Sequence, residues 1–335
     1  VPVIKRVIWI FVAVGLLAGA ALGLDAGRFF TSPLHNTSGQ LVTVESGMSF
    51  NAIAARLVEE GVIVNARDAR YLSLYARYQG VANRIKAGEY AVPARQTPAH
   101  LLELLVSGKT RQYRITLVEG RRFSEIRQLI ESNDALDQKL TGKSEAEVMA
   151  AIGHPDEQAE GRFMPDTYLF PRGMTDIAFL KRAYDAMQTF LDEAWENRSE
   201  NTVVETPYEA LILASIIEKE TAVPEERGRI AGVFTRRLEK GMRLQTDPTV
   251  IYGIEDYDGN IRRSDLRRDT PYNTYTRTGL PPTPIAMPSR AAIKAALDPA
   301  PGDALYFVSR GDGSHVFSDS LSEHNRAVDK YQRGS

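Results

Sequence analysis

Residues 211–221 read LILASIIEKET. Up to Ile217 the run is apolar on every face of a helix, and a helix of that kind is buried within a domain. The residues before it mark a start: Thr206 stands at the N-cap, Pro207 at the first helical position and Glu209 at the third, a capping box. A core helix ending in carboxylates is therefore predicted. Glu218 follows Ala214 and Ser215 by one turn and Leu211 by two, so these positions share a face. The small residues leave room over Glu218 for a ligand. Apolar neighbours favour a neutral carboxyl, the form a general acid needs. Glu220 lies about 200° further round an ideal helix, which predicts that only one of the two carboxyls faces a given pocket. The competing reading is structural: Glu218 pairs with an arginine of the following helix, which reads PEERGRIAGVFTRRLEKG with Ile230, Val233, Phe234 and Leu238 on one face.

The chain has 335 residues, 43% hydrophobic and 25% charged, an ordinary globular composition with room for two or three domains. Its net charge of −2 gives no electrostatic case for nucleic acid. With no cysteine, disulfides, thiolate nucleophiles and cysteine metal sites are excluded. His35, His100, His154, His315 and His324 show no ligand spacing, and neither G-x-S-x-G nor a Walker loop occurs. No metal and no cofactor are expected.

The N-terminus departs from that composition. Val7–Leu24, VIWIFVAVGLLAGAALGL, is uncharged over 18 residues. As a helix it spans about 27 Å, close to the ~30 Å hydrocarbon core of a bilayer. It exceeds the ~7–15 residues of a signal-peptide apolar region, so an uncleaved anchor is expected in place of a cleaved leader. Lys5 and Arg6 before it and Asp25 after it put residues 1–6 in the cytoplasm and the remainder outside. Residues 25–40 read as a linker, with the polar tether TSPLHNTSGQ from Thr31.

Beyond the tether the pattern is strand, helix, helix, strand. LVTV (41–44) is followed by a helix capped by Ser49 with Phe50, Ile53, Ala54, Leu57 and Val58 on one face. A second helix, about Arg67–Tyr78, presents Tyr71, Leu74, Tyr75 and Tyr78; AGEYAV is the closing strand, and Thr97-Pro98 opens a further helix. Opening on VESGMSFNAIAARL and closing on IKAGEYAVP, this unit resembles a LysM-like module, which implies binding of N-acetylglucosamine polymers, against the plainer reading that it packs on the rest of the chain. Its opening is echoed 73 residues later: Gly47, Phe50, Ile53 and Leu57 correspond to Gly120, Phe123, Ile126 and Ile130. An amphipathic helix is expected over Lys181–Asn197, loop from Arg262 to Pro288, and a strand pair at ALYFVSR and HVFS. The fold class is α+β.

Residues with hydroxyl, amide and tyrosine groups suited to sugar rings cluster after the core helix: Gln245 and Asp247 in RLQTDPTVIYG, and Tyr272, Asn273 and Tyr275 in DTPYNTYTRTGLPPTPIAMP. Pro281, Pro282, Pro284 and Pro288 stiffen the second segment, which reads either as a binding loop or as a braced surface loop.

Together, EGRFMPDTYLFP (160–171), LILASIIEKET, RLQTDPTVIYG, YNTYTRTGLPPTPI and YFVSRGDGSHVFSDSLSEHN (306–325), in this order behind an anchor and a LysM-like module, resemble the endolytic murein transglycosylase, or YceG-like, family. The resemblance covers nearly the whole chain and implies a mixed α+β catalytic domain over 111–335, behind a module over 41–110. It implies Glu218 as the catalytic residue, with Ser215, Gln245, Asp247, Tyr272, Asn273 and Tyr275 as substrate-binding candidates. It further implies cleavage of the β-1,4 bond between N-acetylmuramic acid and N-acetylglucosamine in peptidoglycan glycan strands, leaving 1,6-anhydro ends, at the bacterial inner membrane with the domain in the periplasm. Partners are then the glycan strand and the bilayer, with peptidoglycan synthases as further candidates. A muramidase-type hydrolase using Asp247 as base or nucleophile, and a non-catalytic peptidoglycan-binding scaffold, remain as alternatives.

Overall fold

The structure, a computed structural model, describes residues 2–36 and 39–334; Thr37 and Ser38 in the expected tether, and the terminal residues 1 and 335, lie outside the described residues. Two compact units form. The first comprises Val1–Tyr113 with Leu169–Met174, the second Arg114–Tyr168 with Thr175–Ser335. A single boundary near residue 110 does not accommodate the excursion at Leu169–Met174. Within the first unit that excursion has a clear tie: Arg172 Nε meets Glu89 Oε1 at 3.1 Å, and an Arg172 Nη2 hydrogen bond (2.9 Å) reaches Tyr113.

Helix α1 (Pro2–Thr31) runs on past Leu24, and its Lys5–Thr31 part is long and apolar enough to cross a membrane. The described part of the expected tether is fixed to the first unit. Leu34 N donates to Gln96 O at 2.7 Å, and Asn36 Nδ2 donates to the carbonyls of Val92 and Pro93. Next come β1 (Gln40–Val44), α2 (Phe50–Glu59), α3 (Ala66–Tyr78), β2 (Gly88–Val92) and α4 (Pro98–Ser107). β1 pairs antiparallel with β2, Gln40 opposite Val92 and Val44 opposite Gly88. The expected aromatic stripe of α3 is not its core face. Ala69, Leu72, Ser73 and Ala76 are buried, while Leu74 and Tyr78 are 62% and 85% exposed. Small residues let the two helices approach, and the stripe is used elsewhere: Tyr71 and Tyr75 pack on Phe29 and Phe30 of α1, with the Tyr71 hydroxyl donating to Asp25.

From β3 (Gln112–Thr116) the elements are α5 (Phe123–Glu131), β4 (Leu136–Asp137), α6 (Glu145–Ala151), β5 (Thr167–Pro171), β6 (Met174–Thr175) and α7 (Asp176–Glu196). Then follow α8 (Pro207–Glu220), α9 (Arg227–Glu239), α10 (Asp247–Tyr252), α11 (Arg263–Arg267), α12 (Arg290–Leu297), β7 (Tyr306–Ser309), β8 (His315–Ser318) and α13 (Leu321–Tyr331). The echo is structural: Gly47 and Gly120 both take positive φ, +82° and +74°, in the turn after a strand, and Phe50 and Phe123 are both buried. α7 begins five residues earlier than expected, because Thr175 caps it by accepting from Ala178 N. β7 and β8 pair antiparallel as expected, Tyr306 opposite Ser318.

The second unit is organised around α8. Every residue from Ala210 to Ile217 is buried, and α7, α9, α10 and α12 pack around the helix. Thr206 caps it through Glu209 N, but the Glu209 carboxylate accepts from Glu205 N at 2.7 Å, one residue short of the expected capping box. The proline-braced segment is neither a surface loop nor a binding loop at its core, since Thr283, Pro284, Ile285, Ala286, Met287 and Pro288 are all buried. It is pinned to α8 by Ser215, whose hydroxyl donates to Ile212 O (2.7 Å) and accepts from Ile285 N (3.0 Å). Ser215→Ala would leave the buried Ile285 N–H without a partner, a loss of about 1–3 kcal/mol. Urea denaturation of the variant should show a lower midpoint with an unchanged slope; an unchanged midpoint would contradict the pin.

Candidate active site

α8 leaves the core at its last turn. Thr221 is extended (φ −144°, ψ 137°), so the helix stops at Glu220 and both carboxyls are delivered at its end. The Glu218 side chain is only 6% exposed. Its Oε2 accepts from Ser289 N at 3.0 Å and from the Ser289 hydroxyl, and Arg227 Nη2 of α9 lies 4.0 Å from Oε1. Ser289 is the N-cap of α12, its hydroxyl also accepting from Ala292 N. The arginine pairing expected of a purely structural glutamate is thus present, but at long range. The carboxyl also opens onto a cavity of 570 Å³ lined by Gly120, Arg121, Lys219, Glu220 and Arg227 among others. Its near wall is held by Lys219 Nζ donating to Gly120 O (3.2 Å) and Gly120 N donating to Met287 O (2.8 Å).

Glu220 lines this cavity too, which corrects the expectation from ideal helical spacing. That geometry assumes a helix continuing past both residues, whereas the cavity wraps the helix end. Glu220 also lines a second cavity, of 510 Å³, with Gln245, Asp247, Tyr275, His315 and His324. The Thr246 hydroxyl donates to Glu220 Oε1, and behind it Thr246, Thr249 and Thr274 form a buried set of hydroxyl and backbone bonds. Burial pushes the Glu220 carboxyl up to about 7; the Thr246 bond opposes this, the Asp247 charge adds to it, and His315 and Arg237 oppose it.

The sequence-derived ligand set divides accordingly. Gln245, Asp247 and Tyr275 come together in the second cavity, where Tyr275 OH donates to Asp247 Oδ1 at 2.6 Å. Gln245 has φ +52°, a left-handed conformation uncommon for a residue with a side chain. Ser215 and Asn273 are corrected to internal roles, being 0% and 1% exposed. Asn273 Nδ2 donates to the carbonyls of Asp265, Leu266 and Arg268 while Oδ1 accepts from Tyr275 N, so it ties the loop together. Tyr272 shares a 2.9 Å hydrogen bond with Thr283 and packs its ring edge-on to Tyr252, bracing the proline segment. Glu220, Ser289 and Arg227 were not singled out as ligand contacts, and Thr246, whose hydroxyl the sequence offered to a sugar with Gln245 and Asp247, is buried and bonded to Glu220 instead. Ser289 caps α12, a helix the sequence reading did not mark, and nothing in its spacing ties it to Glu218.

A family model described as YceG-like matches residues 42–330. The chain belongs to the YceG-like family. It is 32% identical over 332 residues to a Bacillus subtilis (strain 168) protein named endolytic murein transglycosylase, across 91% of this chain and 89% of that protein. It is 27% identical over 350 residues to a protein of the same name from Streptococcus pneumoniae (strain D39), across 93% of this chain and 62% of the relative, so it spans less than two thirds of that longer protein. The 2.6 Å crystal structure of a YceG-like protein from Listeria monocytogenes is similar with a TM-score of 0.55 at 27% identity, covering 85% of this chain and 97% of that one.

The raised Glu220 carboxyl makes a stability prediction. An acid held above its unfolded value of 4.5 binds its proton more tightly when folded, so stability is fully present at low pH and is lost as pH rises towards about 7. Glu220→Gln removes that loss while keeping an acceptor for Thr246. The variant should gain roughly 2 kcal/mol relative to the parent between pH 5 and pH 8. Paired chemical denaturation curves at the two pH values read this, and a pH-independent difference would show that Glu220 is not so shifted.

Proposed function

We propose that the chain is a membrane-anchored endolytic peptidoglycan transglycosylase with Glu218 as its single acid and base. The observation that carries this reading is a nearly buried carboxyl at the end of a core helix, held by Ser289 and open to a cavity on its other side. The relatives' names support the substrate class. In the proposed step the protonated Glu218 gives its proton to the glycosidic oxygen as the C1–O bond breaks. The resulting carboxylate then takes the proton from the C6 hydroxyl, whose oxygen closes on C1 to form the 1,6-anhydro end. Atoms balance without water, and one carboxyl returns to its starting state. The Ser289 hydroxyl suits both halves of this cycle, since it can donate to a carboxylate and accept from a carboxylic acid. Arg227 offers a positive charge beside the carboxylate half of the cycle.

Gln245, Asp247 and Tyr275 are proposed to contact the strand beyond Glu220. Asp247 lines the second cavity and accepts from Tyr275, which weighs against its acting as the water-activating base of a hydrolase. The β1-α2-α3-β2 unit is proposed as the LysM-like module. A 600 Å³ groove lined by Gly47, Ser49, Asn51, Gly80 and Asn83 supports glycan binding there. α1 is proposed as an uncleaved inner-membrane anchor with the rest of the chain on the periplasmic side, which confines cleavage to strands near the membrane.

Glu218→Gln should abolish strand cleavage with its melting temperature preserved, because Gln keeps the size and the Ser289 contacts but carries no transferable proton. The loss should lie at or beyond the upper end of the ~10²–10⁴ typical of a general acid or base. Glu220→Gln should cost less. Isolated sacculi are the substrate, and a Glu218→Gln variant retaining more than about a tenth of the parent rate would end the proton-transfer reading. Product ends distinguish the chemistry: anhydro ends resist borohydride, hydrolytic ends are reduced, and a scaffold releases nothing.

Anchoring is tested separately by protease treatment of spheroplasts. The domain should be digested without permeabilising the inner membrane, while a soluble processed form or a protected domain would overturn the anchor.

A further inference from the structure

The C-terminal motif GSHVFSDSLSEHN has no part in the proton transfer, yet it contributes His315, Leu321, His324 and Asn325 to the second cavity. α13 turns Leu321, His324, Asn325 and Val328 towards it, positions one helical stripe apart, and the paired strands β7 and β8 add Tyr306 and His315. Three observations point to a ligand. The His324 Nδ1 atom is buried without a hydrogen-bond partner among the described residues, and burial, then the charge of Arg237, holds the ring below its usual pKa, hence neutral. Its ring stacks on Tyr306 at 5.2 Å. Gln245, at positive φ, lines the same cavity and is exposed, with its Oε1 accepting from Arg237 at 3.4 Å.

The chemistry of the wall selects what fits. Arg237 spends its Nε and Nη1 on the carbonyls of Leu305, Arg243 and Leu244 and on Gln245 Oε1, which turns these donors away from a ligand, and the Asp247 carboxylate on the same lining repels an anionic one. His315 is held by Glu226 through its ring Nδ1 at 2.7 Å and its backbone N–H at 2.9 Å; burial works against the Glu226 charge, but these bonds outweigh it and keep the carboxyl below its usual range. What remains is a set of amides, a neutral imidazole, hydroxyls and tyrosine faces, suited to the hydroxyl edges and apolar face of a pyranose. The 510 Å³ volume falls within the ~300–1,000 Å³ of small-molecule sites. Glu220 lines both cavities, so one strand crossing the end of α8 touches both.

We propose that this cavity is a second saccharide subsite, taking an uncharged N-acylated hexose of the strand that is cut at Glu218, with His324 and Asn325 as its specificity-determining contacts. It rests on the transglycosylase reading for the identity of the strand. Occupancy of both cavities makes the enzyme favour long strands over short ones.

The test uses the full chain in detergent, with long glycan strands and short oligosaccharides of the same repeat. His324→Phe keeps the stack on Tyr306 but removes the ring nitrogens; Asn325→Ala, at an exposed position, keeps the test alive if the first variant fails to fold. Each should raise KM on long strands about tenfold, or about 1.4 kcal/mol, with kcat unchanged and short substrates unaffected. An unchanged KM on long strands, an equal rise on both lengths, or a fall in kcat alone would overturn the subsite. An active Glu218→Gln variant or borohydride-reducible ends would overturn the transglycosylase reading instead, and the length dependence of KM would still report on the cavity.

Discussion

The burial of α8 on all sides is the constraint on which the second unit depends. From Ala210 to Ile217 no face of the helix meets water, so four neighbouring helices must close around it. A helix so enclosed can present chemistry only at its ends. Its N-terminal end is occupied by Thr206, Pro207 and the Glu209 bond to Glu205. The C-terminal end, where Thr221 breaks the helix, carries Glu218 and Glu220 out of the core on a rigid support. Rigidity matters for the proton transfer proposed there, because such transfer demands that a carboxyl be held within hydrogen-bond reach of the atom it serves. Ser215, three residues before Glu218, extends that rigidity to the proline segment through Ile285, and the segment ends at Ser289, the partner of Glu218. The same helix therefore fixes the carboxyl and the group that bonds it.

Two carboxyls two residues apart on one helix end have different surroundings. Glu218 meets a hydroxyl, a backbone N–H and a distant guanidinium. Glu220 is desolvated by burial, lies near the Asp247 charge and accepts from the Thr246 hydroxyl. Environments that separate neighbouring carboxyls allow them separate tasks. Glu160 gives a useful contrast elsewhere in the same unit. Burial pushes it up to about 7 as well, yet it accepts from Phe123 N and Tyr252 OH at 3.0 and 3.1 Å and lies in the wall under α5, so its shift reflects internal packing. A raised carboxyl acquires functional meaning from the cavity it faces.

Much of this was legible in the sequence, and the unread parts have physical reasons. The run from Leu211 to Ile217 announced a core helix through its lack of any polar face, and the Thr206-Pro207 start was readable because capping is local. The β7–β8 pair and the cap of α2 at Ser49 were legible for the same reason. Contacts over long sequence separation were not. Ser289 reaches Glu218 across 71 residues and Thr246 reaches Glu220 across 26. The stripe of α3 was visible as a stripe, but sequence periodicity does not say which partner it meets, and the small-residue face made the core contact instead. Asn273 looked like a ligand amide because loop asparagines and ligand asparagines have the same composition; only its three carbonyl partners distinguish them.

Gln245 links these points. Its left-handed φ costs about 1–3 kcal/mol in a residue with a side chain, and such strain persists only where the surroundings impose it. They do so from two sides: Gln245 N donates to Thr274 O at 3.2 Å, and Thr246 N donates to the Thr274 hydroxyl at 3.1 Å. The loop carrying Tyr275 and Asn273 is thereby stitched to the segment that begins α10. The left-handed step lets Thr246 turn inward to Glu220 while Gln245 and Asp247 remain exposed at the cavity. An extended φ at 245 would redirect the chain that follows it and carry the Thr246 hydroxyl away from the Glu220 carboxyl. The strain is thus tied to the environment of Glu220, and through Glu220 to the place where the two cavities meet.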